Sequence, residues 1–243
     1  MENLCGKSIL ITGSARRIGR RLAIAAAKNG ANIIIHHGHS DEEAASLVRE
    51  IKQLGGKAKT IKADLSHPEE AAQSLGRIIK DEKELYALVN NAAIFKSMKF
   101  SDTTLDEWRL HMDINLSAPF LLTQLFAESI GDRKGRIINI LDWRALRPGK
   151  DHFPYTISKA ALAALTKSSA LALAPNISVN GIAFGAILPP SDDGGNEESI
   201  INPVPLERWA ELKEVEELFI FLLTGPEYIT GEIIHLDGGR HLV

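Results

Sequence analysis

Residues Ser8-Ile9-Leu10-Ile11-Thr12-Gly13-Ser14-Ala15-Arg16-Arg17-Ile18-Gly19 run from an apolar, β-branched stretch through a glycine-bracketed turn into an amphipathic segment. The stretch 8–12 reads as a strand and 17–29 as a helix closed by Gly30. A strand that passes to a helix between two glycines predicts close approach of backbone amides to an anion such as a pyrophosphate. Two glycines six residues apart also occur in ordinary strand-to-helix turns, so the reading depends on its surroundings.

The same alternation continues along the chain. Strands are expected at 32–37, 58–63, 87–90, 136–141, 178–183 and 232–236, with helices at 41–53, 68–80, 105–129, 155–173 and 206–223. Ser40 stands before an acidic first turn (Asp41, Glu42, Glu43), and Ser66 before His67-Pro68-Glu69-Glu70, both helix-start signals. Unbroken strand–helix alternation predicts a doubly wound parallel α/β sheet of Rossmann type, with helices on both faces and one domain over 1–243. The irregular segment 188–205 holds four prolines and a polar run from Ser191, and is expected to be a mobile lid.

Composition narrows the function classes. Of 243 residues, 44% are hydrophobic and 24% charged, as in ordinary globular chains. Twenty-eight Lys and Arg against 31 Asp and Glu leave a net charge of −3, with no basic block to hold a nucleic acid. The most apolar stretch, 160–175, is broken by Thr166, Lys167, Ser168 and Ser169, so no membrane span is expected. The N-terminus enters a strand at once, which leaves no room for a signal peptide and predicts a cytoplasmic protein. Cys5 is the only cysteine, so neither an intrachain disulfide nor a cysteine-based zinc site is expected. The histidines of His36-His37-Gly38-His39 alternate in direction along a strand, and no metal site is expected there either.

The end of the second strand bears on the cofactor. An NAD site usually places an acid there for the ribose hydroxyls, whereas this chain has no acid before Asp41. Arg16 and Arg17, with His37, His39 and Ser40, make a neutral-to-positive pocket suited to a 2′-phosphate and hence to NADPH. One of the arginines could equally be a solvated residue at a helix start.

Tyr155 and Lys159 share a helix face, and an ammonium beside a phenol is expected to lower its pKa toward that of a working acid. An isolated Tyr-x-x-x-Lys is by default a surface pair. Here it follows Thr12-Gly13, Asn90-Asn91-Ala92 and Asn115 in order, and the strand end at Asn90 is where an open parallel sheet binds ligands.

With those motifs, and with Asp237-Gly238-Gly239 near the C-terminus, the sequence resembles the short-chain dehydrogenase/reductase family over nearly its whole length. The resemblance implies a seven-stranded sheet, a homotetramer and Tyr155 as proton donor. It also implies Lys159 on the nicotinamide ribose and Asn115 supporting a water relay. Cofactor contacts would come from the first turn (Gly13, Ser14, Arg16, Arg17, Ile18, Gly19) and from His37, His39 and Ser40. Asp64, Leu65, Asn91, Ala92 and Gly185 would complete them. Two departures from the common pattern stand out: Arg17 where a third glycine is usual, and Asp142 where a serine usually lies thirteen residues before the tyrosine. Both are similar to the pteridine reductases and the bacterial dihydromonapterin (alternative dihydrofolate) reductases. The latter also share Asp-Gly-Gly-Arg-His-Leu at 237–242. Phe95 sits where those enzymes place an aromatic ring against the pterin, so Arg17, Phe95, Asp142 and Tyr155 are the expected substrate residues. Ala93 and Phe184 depart from that subgroup, which often has serine and proline there.

Asp142 has a chemical rationale. Ketone reduction builds negative charge that a serine hydroxyl can stabilise and a carboxylate would repel. Reduction of a C=N bond needs a proton on nitrogen, which a carboxylic acid bonded to Tyr155 can help supply. The expectation is an NADPH-dependent reductase of pterins or dihydrofolate. A carbonyl reductase such as a 3-oxoacyl-carrier-protein reductase is the alternative, followed by a nucleotide-binding protein without chemistry.

Overall fold

Seven parallel strands form one sheet in the order β3-β2-β1-β4-β5-β6-β7. They are β1 (Ser8–Ile11), β2 (Asn32–His37), β3 (Ala58–Lys62), β4 (Leu85–Asn90), β5 (Gly135–Asp142), β6 (Ile177–Phe184) and β7 (Ile233–Leu236). This is a computed structural model, and it describes residues 3–189 and 197–243. The helices are α1 (Arg17–Lys28), α2 (Asp41–Gln53), α3 (Pro68–Asp81), α4 (Leu105–Met112), α5 (Ala118–Ile130), α6 (Phe153–Leu173), α7 (Glu197–Ile201) and α8 (Leu212–Thr224).

The central strands are apolar at successive positions because both faces are covered. Ile9, Ile11, Ile33 and Ile35 pack with residues of α1, α2 and α8, while the intervening Leu10 and Ile34 pack with residues of α3, α5 and α6. The period of two thus sorts neighbouring side chains into two cores. The strand order reverses between β1 and β4, and the C-terminal edge at that point is where doubly wound sheets open a crevice.

Three expected elements differ. The helix at 105–129 is interrupted by a π turn at Asp113–Ser117, which separates α4 from α5. The helix expected from 206 begins only at Leu212, where Glu211 and Glu214 form a capping box. Upstream of it, Glu207 has φ +51° and the Ala210 amide donates to the Ala186 carbonyl, so the backbone is committed elsewhere. The segment 188–205 contains α7 rather than being wholly irregular; of its polar run at 191–198, residues 191–196 lie outside the described residues and the last two open α7. No helix among the described residues is long and apolar enough to cross a membrane.

Candidate active site

A cavity of about 1050 Å³ opens at the C-terminal edge of the sheet. Its floor is stitched by side chain to backbone. Thr12 Oγ1 accepts from the amides of Asn91 (2.9 Å) and Ala92 (3.0 Å), and Asn91 Nδ2 donates to the carbonyls of Thr12 (2.8 Å) and Gly13 (3.2 Å). A Cβ on Gly13 (φ +61°) would lie 2.9 Å from Ala92 Cα, and one on Gly19 would lie 2.5 Å from the Gly13 carbonyl oxygen. Both glycines are therefore required by space, the first by its dihedral as well.

The turn has a support that sequence reasoning missed. The Gly13 amide donates to His36 Nδ1 (3.1 Å), and His36 Nε2 lies 3.0 Å from the Ala63 carbonyl. That pairing requires a neutral ring with its proton on Nε2, and burial holds the His36 pKa down at about 4. The only signal was its place one residue before the end of β2.

Arg17 has φ +51°, a conformation that favours glycine, which accounts physically for a glycine being usual at this position. Its Nη2 donates to the Pro189 carbonyl at 2.6 Å, tying the turn to the far wall. Arg16 is largely exposed and lies 3.6 Å from Glu43. His37, His39 and Ser40 line the cavity, and His37 Nδ1 is buried with no hydrogen-bond partner among the described residues. The first acid after β2, Asp41, is engaged by Lys62 Nζ (2.8 and 3.0 Å). Gly13, Ile18, Gly19, Asn91, Ala92 and Gly185 also line the cavity, but four expected site residues do not. Ser14 is wholly buried with its hydroxyl on the Ile11 carbonyl, and Leu65 lies in the core. Asp64 accepts from the amide and hydroxyl of Ser66, and Asn115 is buried behind the wall.

Asp142 ends β5, and Tyr155 and Lys159 lie in the first turns of α6. Tyr155 Oη donates to Asp142 Oδ2 at 3.2 Å, while Asp142 Oδ1 accepts from the Arg144 amide at 2.9 Å. Burial raises the Asp142 carboxyl above the ordinary range, although the Arg144 guanidinium works against it. Burial, and then the neighbouring Asp142, push the Tyr155 phenol well above its usual value. The expectation that Lys159 lowers this pKa is therefore corrected. The ammonium donates to the Ile140 carbonyl at 2.7 Å and lies 5.8 Å from the phenol ring centroid, and burial brings its own pKa to about 8.

Asn115 acts one layer back. Its side chain accepts from the Ile94 amide (2.9 Å) and donates to the Ile94 carbonyl (3.2 Å) and to Ser158 Oγ (2.9 Å). Ser158 in turn donates to the Tyr155 carbonyl at 2.7 Å, so the amide braces the turn that carries the phenol.

Phe95 stands edge-on to Tyr155 (centroids 4.7 Å apart) and stacks on His152 at 3.9 Å. Trp143, Arg144, His152, Trp209 and Arg240 also line this end and were missed by sequence reasoning. Adjacency to Asp142 could have flagged the first two, and the Asp-Gly-Gly-Arg-His-Leu stretch could have flagged Arg240; nothing local marks His152 or Trp209. Among the described residues, no three His, Cys, Asp or Glu side chains converge as metal ligands do.

The family described as enoyl-(acyl carrier protein) reductase matches residues 13–241. Among solved structures, the chain is similar to FolM alternative dihydrofolate reductase 1 from Brucella canis complexed with NADP (33% identity, TM-score 0.92, covering 99% of this chain and 96% of that one). It is also similar to a blue fluorescent protein from a metagenomic library in complex with NADPH (31% identity, TM-score 0.91, covering 98% and 99%). The 3-oxoacyl-[acyl-carrier-protein] reductase of Synechocystis sp. is 31% identical, with 98% of each chain covered. The match reaches from the glycine turn to the last helical turn of the chain, spanning both walls of the cavity, and the protein belongs to the short-chain dehydrogenase/reductase family of oxidoreductases.

Proposed function

We propose that the protein is an NADPH-dependent reductase of a C=N bond in a dihydropterin or dihydrofolate. The observation that carries this reading is Tyr155 Oη at 3.2 Å from a half-buried Asp142 whose carboxyl is raised above its ordinary range. A carboxyl made less acidic by burial and bonded to a phenol that keeps its proton can help pass a proton to a basic nitrogen. A serine in that place would serve a ketone instead.

The residues present fit NADPH. The glycine turn leaves backbone open to a pyrophosphate at the start of α1. The end of β2 offers His37, whose Nδ1 has no hydrogen-bond partner among the described residues, and the first acid after it, Asp41, is engaged by Lys62. Arg16, Arg17 and Ser40 would hold the 2′-phosphate. When bound, the cofactor supplies the hydride. Lys159 would hold its ribose, Asn115 and Ser158 keep the Tyr155 turn in place, and Phe95 offers a stacking face to a flat substrate. Arg17, which also lines the cavity, would touch both cofactor and substrate.

On this reading the N-terminal half binds nucleotide and the C-terminal half does the chemistry, in a cytoplasmic homotetramer. Exposed apolar side chains such as Leu171 and Tyr228 are candidates for subunit contacts. The second reading is a 3-oxoacyl thioester reductase, favoured by the Synechocystis relative. NADPH oxidation with dihydrobiopterin, dihydromonapterin, dihydrofolate and an acetoacetyl thioester separates the two. Turnover of a dihydropterin or dihydrofolate supports the first. Good thioester reduction with every pterin and folate untouched sinks it.

A further inference from the structure

Beyond Phe95 the cavity wall changes character. Arg144 and Arg240 both stand over the Trp143 indole, with guanidinium carbons 4.7 and 4.5 Å from the ring. They come from opposite parts of the chain, Arg144 just after β5 and Arg240 from the C-terminal turn, and both line the cavity with Lys150. Arg147 Nη1 donates to the Arg240 carbonyl at 3.3 Å and adds a fourth cation nearby.

The carboxylates at this end are committed. Asp151 Oδ2 lies 3.1 Å from Arg144 Nη2 and 2.9 Å from His152 Nδ1, and Asp142 is bonded to Tyr155 and the Arg144 amide. Asp237 accepts from the backbone of Gly239 and from the amide and ring of His241. Arg240 makes no ion pair with a described side chain; its Nη1 donates to a main-chain oxygen of Val243, the last residue, at 3.1 Å. Burial, and then repulsion from Arg147 and Arg144, pull its guanidinium below the usual value. Among the described residues, four cations gather here against three carboxylates that are already bonded, and Asp151 and Asp237 only partly offset the repulsion felt by Arg240, which favours an added anion. An arginine held over an indole presents its fork to an oxyanion with little freedom left to lose.

We propose that Arg240 and Arg144, flanking Trp143, form a subsite for an anionic tail of the substrate, either carboxylate or phosphate. This rests on the reading of the cavity as the substrate site of a reductase. Trp143 and Arg144 directly follow Asp142, so a tail bound there belongs to a molecule whose reacting ring lies beside Tyr155.

The test is a binding titration that needs no turnover. The protein with NADP present is titrated with 4-aminobenzoylglutamate for carboxylates, and with phenyl phosphate for phosphate. Quenching of Trp143 fluorescence is the signal, with Trp143→Phe as the blank. Saturable quenching that weakens with salt is expected, with affinity falling roughly tenfold in Arg240→Gln and partly kept in Arg240→Lys. The arm that saturates at lower concentration identifies the tail. Arg240 touches neither Asp142 nor Tyr155, so this loss is separable from chemistry. No saturable binding to the wild type, or binding that ignores both Arg240 variants, overturns the subsite. Wild-type protein that binds the tail yet turns over no pterin or folate would instead defeat the pterin reading and leave the subsite standing.

Discussion

The two ends of the cavity are built on different principles. At the glycine turn, Gly13 and Gly19 leave no room for a side chain, and the Gly13 amide rests on a ring held neutral by burial. Around Asp142 the surface is made of side chains whose protonation is set first by burial, which raises Asp142 and Tyr155 and lowers Lys159, with neighbouring charges opposing the shifts of Asp142 and Lys159. The first end fixes a shape that tolerates no added methyl group. The second sets protonation states, which substitutions can alter while the fold stands. A cofactor used at every turnover suits the first design, and a proton donor matched to one substrate suits the second.

The sharpest way to break this contrast is Tyr155→Phe. It keeps the ring and removes the proton, so turnover should fall by roughly 10²–10⁴-fold while NADPH affinity is little changed. Near-normal turnover in a steady-state assay would place the proton donor elsewhere.

Acid should strike the other end through His36. An unfolded histidine titrates near 6.5, whereas the folded ring titrates at about 4. Between those values the unfolded chain binds more protons, so this contribution is full above pH 6.5 and declines as pH falls toward 4. The loss is about 3 kcal/mol at the lower limit. Urea melts of the wild type and His36→Asn should converge as pH drops from 7 to 4.5. A constant gap would show that His36 is not the titrating group.

Arg17→Gly probes the seam between the two ends. Relief of the positive φ should raise stability by about 1 kcal/mol. Loss of a phosphate contact should weaken NADPH by about 1.5–3 kcal/mol and leave NADH less affected. Equal loss for both cofactors, or a lower melting temperature, would remove Arg17 from the assigned role. The smallest effect is expected from Phe95→Ala. Its stacking contribution is about 0.5–1.5 kcal/mol beyond area burial, so KM for a pterin should rise more than KM for NADPH.

The same contrast explains what could be read in the sequence. Gly13 and Gly19 lie in one continuous segment, and Tyr155 and Lys159 are one helical turn apart, so local spacing reports them. The alternation of elements reports a doubly wound parallel sheet, whereas the strand order itself is seen only in the structure. The break at Asp113–Ser117 was not legible because Ile114 and Leu116 continue an apolar pattern through it. The false start of the last helix came from Leu206, Trp209 and Ala210, which mimic its periodicity while their backbone is bonded elsewhere. The meeting of Arg240 with Trp143 joins distant parts of the chain, and no local pattern encodes it. The direction of the Tyr155 shift depends on burial and on the neighbouring Asp142, which the spacing of Tyr155 and Lys159 does not report.

The π turn has a consequence for how this gene can tolerate change in length. It gives the helical path one surplus residue, so α4 and α5 are out of phase by roughly 100°. That offset lets α4 pack on α6 while α5 turns Leu122, Phe126 and Ile130 toward α3 and the core. Deleting one codon within 113–117 would leave a smoother helix and a worse protein. Everything on one side of the cut would swing by that angle, moving Asn115 away from Ser158 or Phe126 out of the core. Most positions in this helix store information as residue identity, whereas these five also store it as a count.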